Sequence, residues 1–134
     1  MAIDDDIRLF SIVPFLQGFG PEALRLLAFG SERLVLRPGR ELYRVNQAAD
    51  CGFIVASGEI LLSSDTETGT QSHGRYGRGA LLGELALIAP SRRPVNATAA
   101  TEAEVVRISR SVFMRILGEY PDIAAKLHKR IAAE

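Results

Sequence analysis

The stretch 75-RYGRGALLGELALIAPSRRPVNATA-99 reads unlike the rest of the chain. Glycines at 77, 79 and 83 let the backbone turn tightly and leave no Cβ in the way of an approaching molecule. Glu84 to Ile88 has the length of one helical turn. The first N–H groups of such a turn lack internal acceptors and face an anion through its positive end. A cramped Pro90-Ser91-Arg92-Arg93-Pro94 turn follows, with two cations side by side. Val95, Ala97 and Ala99 then alternate with Asn96 and Thr98, the period of a half-buried strand.

Upstream of this stretch the pattern is also β. Leu34 and Leu36 alternate with Arg33, Val35 and Arg37, and the run stops at Pro38-Gly39. The segments ELYRV, GFIVA and GEILLSS follow, the last after a Ser57-Gly58 turn. Asp65 to Gly79 is rich in Gly, Ser and Thr and reads as a hairpin, and Glu104 to Ile108 reads as a last strand. Many short strands at close spacing predict a jelly roll or barrel over residues 31–109. Helices flank it. Ile3, Ile7 and Phe10 recur at helical spacing, Pro14 interrupts, and Pro21 with Glu22 opens a second helix that places Leu24 and Leu27 inward and ends before Gly30. After the strands, Ser111 is a candidate cap for a helix carrying Val112, Phe113, Ile116, Leu117 and Tyr120. Gly118 and Pro121 end it, and Pro121 begins a final helix with Ile123, Leu127 and Ile131 on one face.

Composition sets the outer bounds. With 134 residues, 47% of them hydrophobic, the chain is expected to form one domain around a buried core. Sixteen basic and sixteen acidic residues cancel, which argues against a non-specific nucleic-acid binder. The acidic start MAIDDDIRLF is no signal peptide, and no apolar run reaches the roughly 18 to 20 residues that span a bilayer. Cys51, alone, has no internal partner for a disulfide and reads as a small buried hydrophobe beside Phe53 and Ile54. A cytoplasmic protein is the expectation. His73 and His128 are too few and too far apart for the two or three imidazoles plus a carboxylate that a jelly-roll metalloenzyme gathers, so no metal or cofactor is expected. The G-x-G at Gly77-Arg78-Gly79 lacks the strand-to-helix setting of a dinucleotide loop. An enzyme is therefore not expected.

The chemistry that remains lies in the opening stretch. Arg93 offers a guanidinium fork to an anion. Glu84 repels a phosphate but accepts hydrogen bonds from a hydroxyl such as a sugar 2′-OH. An acid for the sugar, helix amides and an arginine for the phosphate, and β walls for a base describe a nucleotide pocket. Arg92 competes for the phosphate, but choosing it shifts the strand register by one and sends Asn96 and Thr98 inward in place of Ala97 and Ala99.

Residues 75–99 resemble the phosphate-binding cassette of the cyclic nucleotide-binding domain family, the type found in catabolite activator protein and in protein kinase A regulatory subunits. Gly79, Leu82, Gly83, Glu84, Leu85, Ala86, Leu87 and Arg93 fall on the family's pattern. So does 37-RPGRELYRVNQAADCGFIVASGEI-60, through Gly39, Leu42 and Gly58, with Asn46 where the family usually has glycine. The resemblance covers almost the whole chain. It implies an α+β fold, an antiparallel β jelly-roll barrel flanked by N-terminal helices and two C-terminal helices. Residues 1–30 would lead in, residues 83–94 would form the cassette, and residues 110–134 would hold a lid. It also implies that Glu84 takes the ribose 2′-hydroxyl, that Arg93 takes the cyclic phosphate, and that the amides of Leu85 and Ala86 add donors. Gly83 and Val95 complete the implied ligand-binding set. Pro94 departs from the pattern, having no N–H to offer the phosphate. It also lacks the hydroxyl that cGMP-preferring members often place there, which favours cAMP.

The last helix is implied as a lid that closes over the base, with Lys126, Leu127, His128 and Arg130 as candidate contacts. DNA-binding relatives add a helix-turn-helix module beyond this helix, whereas the sequence here stops at Glu134. The expectation is thus no direct DNA binding, no membrane attachment, and signalling through a protein partner or a homodimer. Two functions follow from this reading. One is a cyclic-nucleotide sensor, and the other is a ligand-free interaction module that keeps the jelly roll as a scaffold.

Overall fold

A computed structural model describes residues 2–133, with the side chains of residues 3–132. The lead-in is helical as expected: α1 (Ala2–Ser11), a 3-10 turn (Pro14–Leu16) where Pro14 interrupts, and α2 (Pro21–Phe29). The β region runs β1 (Glu32–Leu36), β2 (Glu41–Tyr43), β3 (Ala48–Ala49), β4 (Cys51–Ser57), β5 (Ile60–Thr66), β6 (Gly69–Tyr76), β7 (Leu81–Leu82), a second 3-10 turn (Glu84–Leu87), β8 (Ser91–Arg92), β9 (Asn96–Ala99) and β10 (Ala103–Ser109). Helices α3 (Arg110–Glu119) and α4 (Pro121–Ala133) follow.

Two antiparallel sheets, in the orders β1-β10-β4-β7 and β2-β9-β5-β6, make the jelly roll, and β3 pairs with β8 across its end. Leu36, Tyr43, Phe53, Val55, Ile60, Ala97, Ala99 and Val105 fill the space between the sheets. Strand β4 is buried along nearly its whole length because it has two covered faces. Phe53 and Val55 join that inner core, whereas Ile54 and Ala56 join a second core with Val106, Ile108 and the helices. There Phe10, Leu27 and Phe113 are fully buried. Phe15 and Phe19 stack against Phe113 at 5.7 and 6.0 Å between ring centroids.

Local signals account for most element ends. Gly39 (φ +87°) and Gly58 (φ +73°) turn in the left-handed region, and Asn46 adopts φ 71° there, as its short polar side chain permits. Four expectations are corrected. The ELYRV strand ends at Tyr43, because residues 44–47 leave it for the turn around Asn46. The cap of α3 is Ser109 rather than Ser111: Val112 N–H donates to Ser109 Oγ at 3.2 Å, and Ser111 lies inside the helix. Gly118 does not break α3, which continues to Glu119. Finally, β9 does not simply alternate. Ala97 and Ala99 face the inner core as read, but Asn96 is buried too, its Oδ1 accepting from Val45 N–H at 2.8 Å.

Candidate functional site

Strand β7 reaches the site by pairing with β4, Leu82 opposite Phe53 and Leu81 opposite Ile54. It ends at Gly83, whose φ of +83° only glycine adopts without strain. The Glu84–Leu87 turn then buries Ala86 and Leu87 and leaves Glu84 and Leu85 exposed. Ala86 N–H donates to Gly83 O at 3.0 Å, so that amide is already engaged in closing the turn. Leu85 carries an N–H group that the turn's own pattern does not satisfy.

The chain returns through β8, with Ala48 opposite Arg92 and Ala49 opposite Ser91. The backbone of Arg93 is held on both sides, its N–H donating to Gln47 O (2.9 Å) and its carbonyl accepting from Asn46 N–H (2.8 Å). Successive residues of extended chain point to opposite faces, and the two arginines separate accordingly. Arg92 lies exposed and donates to Asn46 O at 2.8 Å. Arg93 turns inward and is 5% exposed.

Inside, Arg93 Nη2 donates to Cys51 O at 2.9 Å and lies 3.3 Å from Cys51 Sγ. The guanidinium carbon sits 4.4 Å from the centroid of the Tyr43 ring and 5.5 Å from that of Phe53. Nη1 is buried and has no hydrogen-bond partner. A Cβ on Gly83 would fall 2.4 Å from Nη1, so the missing side chain is what gives the guanidinium its room. A buried charge with an unfilled donor is costly and calls for an anion.

The cavity beside Arg93 has a volume of about 430 Å³, in the range that takes a nucleotide-sized ligand. Gly83, Glu84, Leu85, Ala86, Arg93 and Val95 all line it, so the six residues read from the sequence converge. Tyr43, Leu62 and Tyr76 add walls that the sequence reading left out. Tyr43 was not legible in the sequence, because plain alternation pairs it with Glu41 on one face, and the register shift between these two residues is what separates exposed Glu41 from buried Tyr43. Burial pushes the Tyr43 phenol up, with the Arg93 charge working against it. Burial likewise pushes the Cys51 thiol up, opposed by Arg107 and Arg93.

The candidate lid residues do not meet this cavity. Leu127 is 3% exposed and packs in the helical core. Arg130 donates to Pro14 O (3.1 Å) and Gln17 O (2.7 Å), tying α4 to the first 3-10 turn. Leu127 and Arg130 line a second cavity of about 440 Å³, which shares Leu81 and Glu84 with the first. Lys126 and His128 are exposed and line neither. His73 lies on the β5–β6 hairpin, its Nε2 2.6 Å from Ser64 Oγ. Among the described residues no helix is long and apolar enough to cross a membrane.

A solved structure from Brucella abortus, described as a cyclic nucleotide-binding-like protein, is 53% identical, covers 86% of this chain and 99% of that one, and superposes with a TM-score of 0.80. The regulatory domain of Toxoplasma gondii protein kinase A, solved with cAMP, shares the fold with a TM-score of 0.80 at 21% identity, over 99% of this chain and 51% of that one. Lysophospholipase NTE1 of Pyricularia oryzae is 27% identical over 128 residues, which are 95% of this chain but 8% of that protein. The chain thus spans under a tenth of the length of the curated relatives it matches. Residues 33–120, which hold all of β1 but its first residue, every later strand and the whole Arg93 cavity, match the cyclic nucleotide-binding domain, and the chain belongs to that family.

Proposed function

We propose that this domain binds a cyclic nucleotide in the Arg93 cavity, with cAMP preferred over cGMP, and passes the event on through α4 to a protein partner or a second copy. The observation that carries the reading is the buried, unpartnered Nη1 of Arg93 in a cavity lined by the cassette. A cyclic phosphate supplies the acceptor that the guanidinium lacks, with a charge-assisted bond. Glu84, exposed at the rim, is assigned the ribose 2′-hydroxyl, and the Leu85 amide is the cassette's remaining donor once Ala86 N–H is engaged with Gly83. Pro94, exposed on the same rim, brings neither an N–H nor a hydroxyl, which is the ground for preferring cAMP. For α4 to close over the base, Arg130 must release Pro14 O and Gln17 O, so ligand closure and this tether are alternatives.

Calorimetric titration with cAMP and cGMP tests the reading, together with thermal melting. Binding at a concentration 100-fold above Kd adds about 2.7 kcal/mol of stability. Arg93→Ala should cost about 2 to 5 kcal/mol of binding, and Arg92→Ala under about 1 as an exposed charge. Absence of heat and of any melting shift with either nucleotide at millimolar concentration would leave the domain as a ligand-free scaffold.

A further inference from the structure

We infer that Tyr43 and Cys51 are positioning residues for Arg93, holding its guanidinium in one preset pose inside the jelly roll so that the Nη1 nitrogen is presented to the ligand; the inference rests on the nucleotide reading for what that nitrogen meets. An arginine reaching for a ligand from a loop ordinarily samples many rotamers, and ordering it on binding weakens affinity. Arg93 is already ordered. Its backbone is bonded on both sides to residues 46 and 47. Its guanidinium lies over the Tyr43 face within the distance at which the ring quadrupole attracts a cation. Tyr43 is itself braced by Phe53, their rings stacked at 6.0 Å and 28°.

The two holders come from opposite sheets. Tyr43 stands on β2 and Cys51 on β4, so the guanidinium is wedged between the layers. The Cys51 carbonyl takes Nη2 and its sulfur lies beside the same nitrogen, which fixes the rotation of the fork. Nη2 is therefore engaged by Cys51, and Nη1 is the buried nitrogen that has no partner. Gly83 completes the arrangement from the third side by leaving space at Nη1. The consequence is a site formed before ligand arrives, with Nη1 already directed toward the cavity.

The test joins a signal that needs no ligand to one that does. In the unliganded protein, nitrogen-15 NMR should show the Arg93 Nη groups as separate, ring-shifted resonances with slow rotation, collapsing toward the averaged solvent signal in Tyr43→Leu. In titrations with cAMP, Tyr43→Phe should stay within about threefold of wild type, because the ring face persists. Tyr43→Leu should weaken binding about tenfold, or about 1.4 kcal/mol. Cys51→Ala should weaken it by no more than about threefold, because the carbonyl that takes Nη2 remains. In an Arg93→Lys background the Tyr43→Leu effect should disappear, which a purely structural role for Tyr43 would not produce. Thermal melting of each unliganded variant checks that the fold is intact. A single averaged Arg93 signal in wild type overturns the inference. So does equal cAMP affinity in Tyr43→Leu and wild type, with the nucleotide reading left standing. If wild type binds neither nucleotide while Arg93 shows the ring-shifted, slowly rotating signals, the nucleotide reading falls and the preset guanidinium is upheld.

Discussion

Cys51 shows how much of a residue's meaning depends on what lies beside it. Its thiol is buried against a cation, and burial holds it protonated above the usual value of 9.0. Tyr43 is shifted the same way from 10.0, again mainly by burial. A folded state that binds a proton more tightly than the unfolded chain is stabilised by it at low pH. The stability from these shifts is therefore complete below the ordinary thiol value and is lost as pH rises through the raised folded values. Urea unfolding measured from about pH 7 to about pH 10.5 should show a flat region and then a decline. Cys51→Ala should flatten the earlier part of that decline and Tyr43→Phe the later part. Alkaline slopes identical in wild type and both variants would contradict the burial assigned to these groups.

Turns carry the specification at the scale of elements. Gly58 joins β4 to β5 at φ +73°, and a Cβ there would meet Glu102 O at 2.1 Å and Ala103 Cα at 2.8 Å, both backbone atoms that cannot step aside. Asn46 has a similar φ of 71° without such crowding at an exposed site. Asn46→Ala should thus cost only the left-handed strain, about 1 kcal/mol, whereas Gly58→Ala should cost more than about 3 because strain and collision add. Chemical denaturation of the two variants decides this, and equal losses would mean that the β4–β5 turn relaxes freely. Both turns were visible in the sequence, as Ser57-Gly58 and as an asparagine at a glycine position. The two-residue strands β3, β7 and β8 were not visible, because two residues have no period. Each exists through a partner distant in sequence, as with Ala48 opposite Arg92.

The molecule as a whole is built on two cores that share β4, and α4 belongs to the helical one through Leu127. Leu127→Ala should lower stability by about 2 to 4 kcal/mol and speed amide exchange in α4 more than in the sheets. A loss below about 0.5 kcal/mol would show that α4 is only loosely attached. Helical spacing at Ile123, Leu127 and Ile131 was enough to predict this helix and its apolar face. It was not enough to say what the face meets, which is the first 3-10 turn and α3 side of the molecule and not the Arg93 cavity. The sequence by itself determined the order of helices and strands, the jelly-roll class, the cassette and the inward choice of Arg93 over Arg92. The element order and the inward arginine follow from local periodicity, turn residues and the two-residue alternation of strands, whereas the cassette and the choice of a jelly roll rest on the resemblance to the cyclic nucleotide-binding domain family. Tertiary structure alone decided that Arg93 rests on Tyr43 and Cys51, that Ala86 N–H is engaged in its own turn, and that Arg130 ties α4 away from the site. These contacts join residues brought together by sheet pairing and layer packing, and no local sequence preference encodes which partner a long cationic side chain will find.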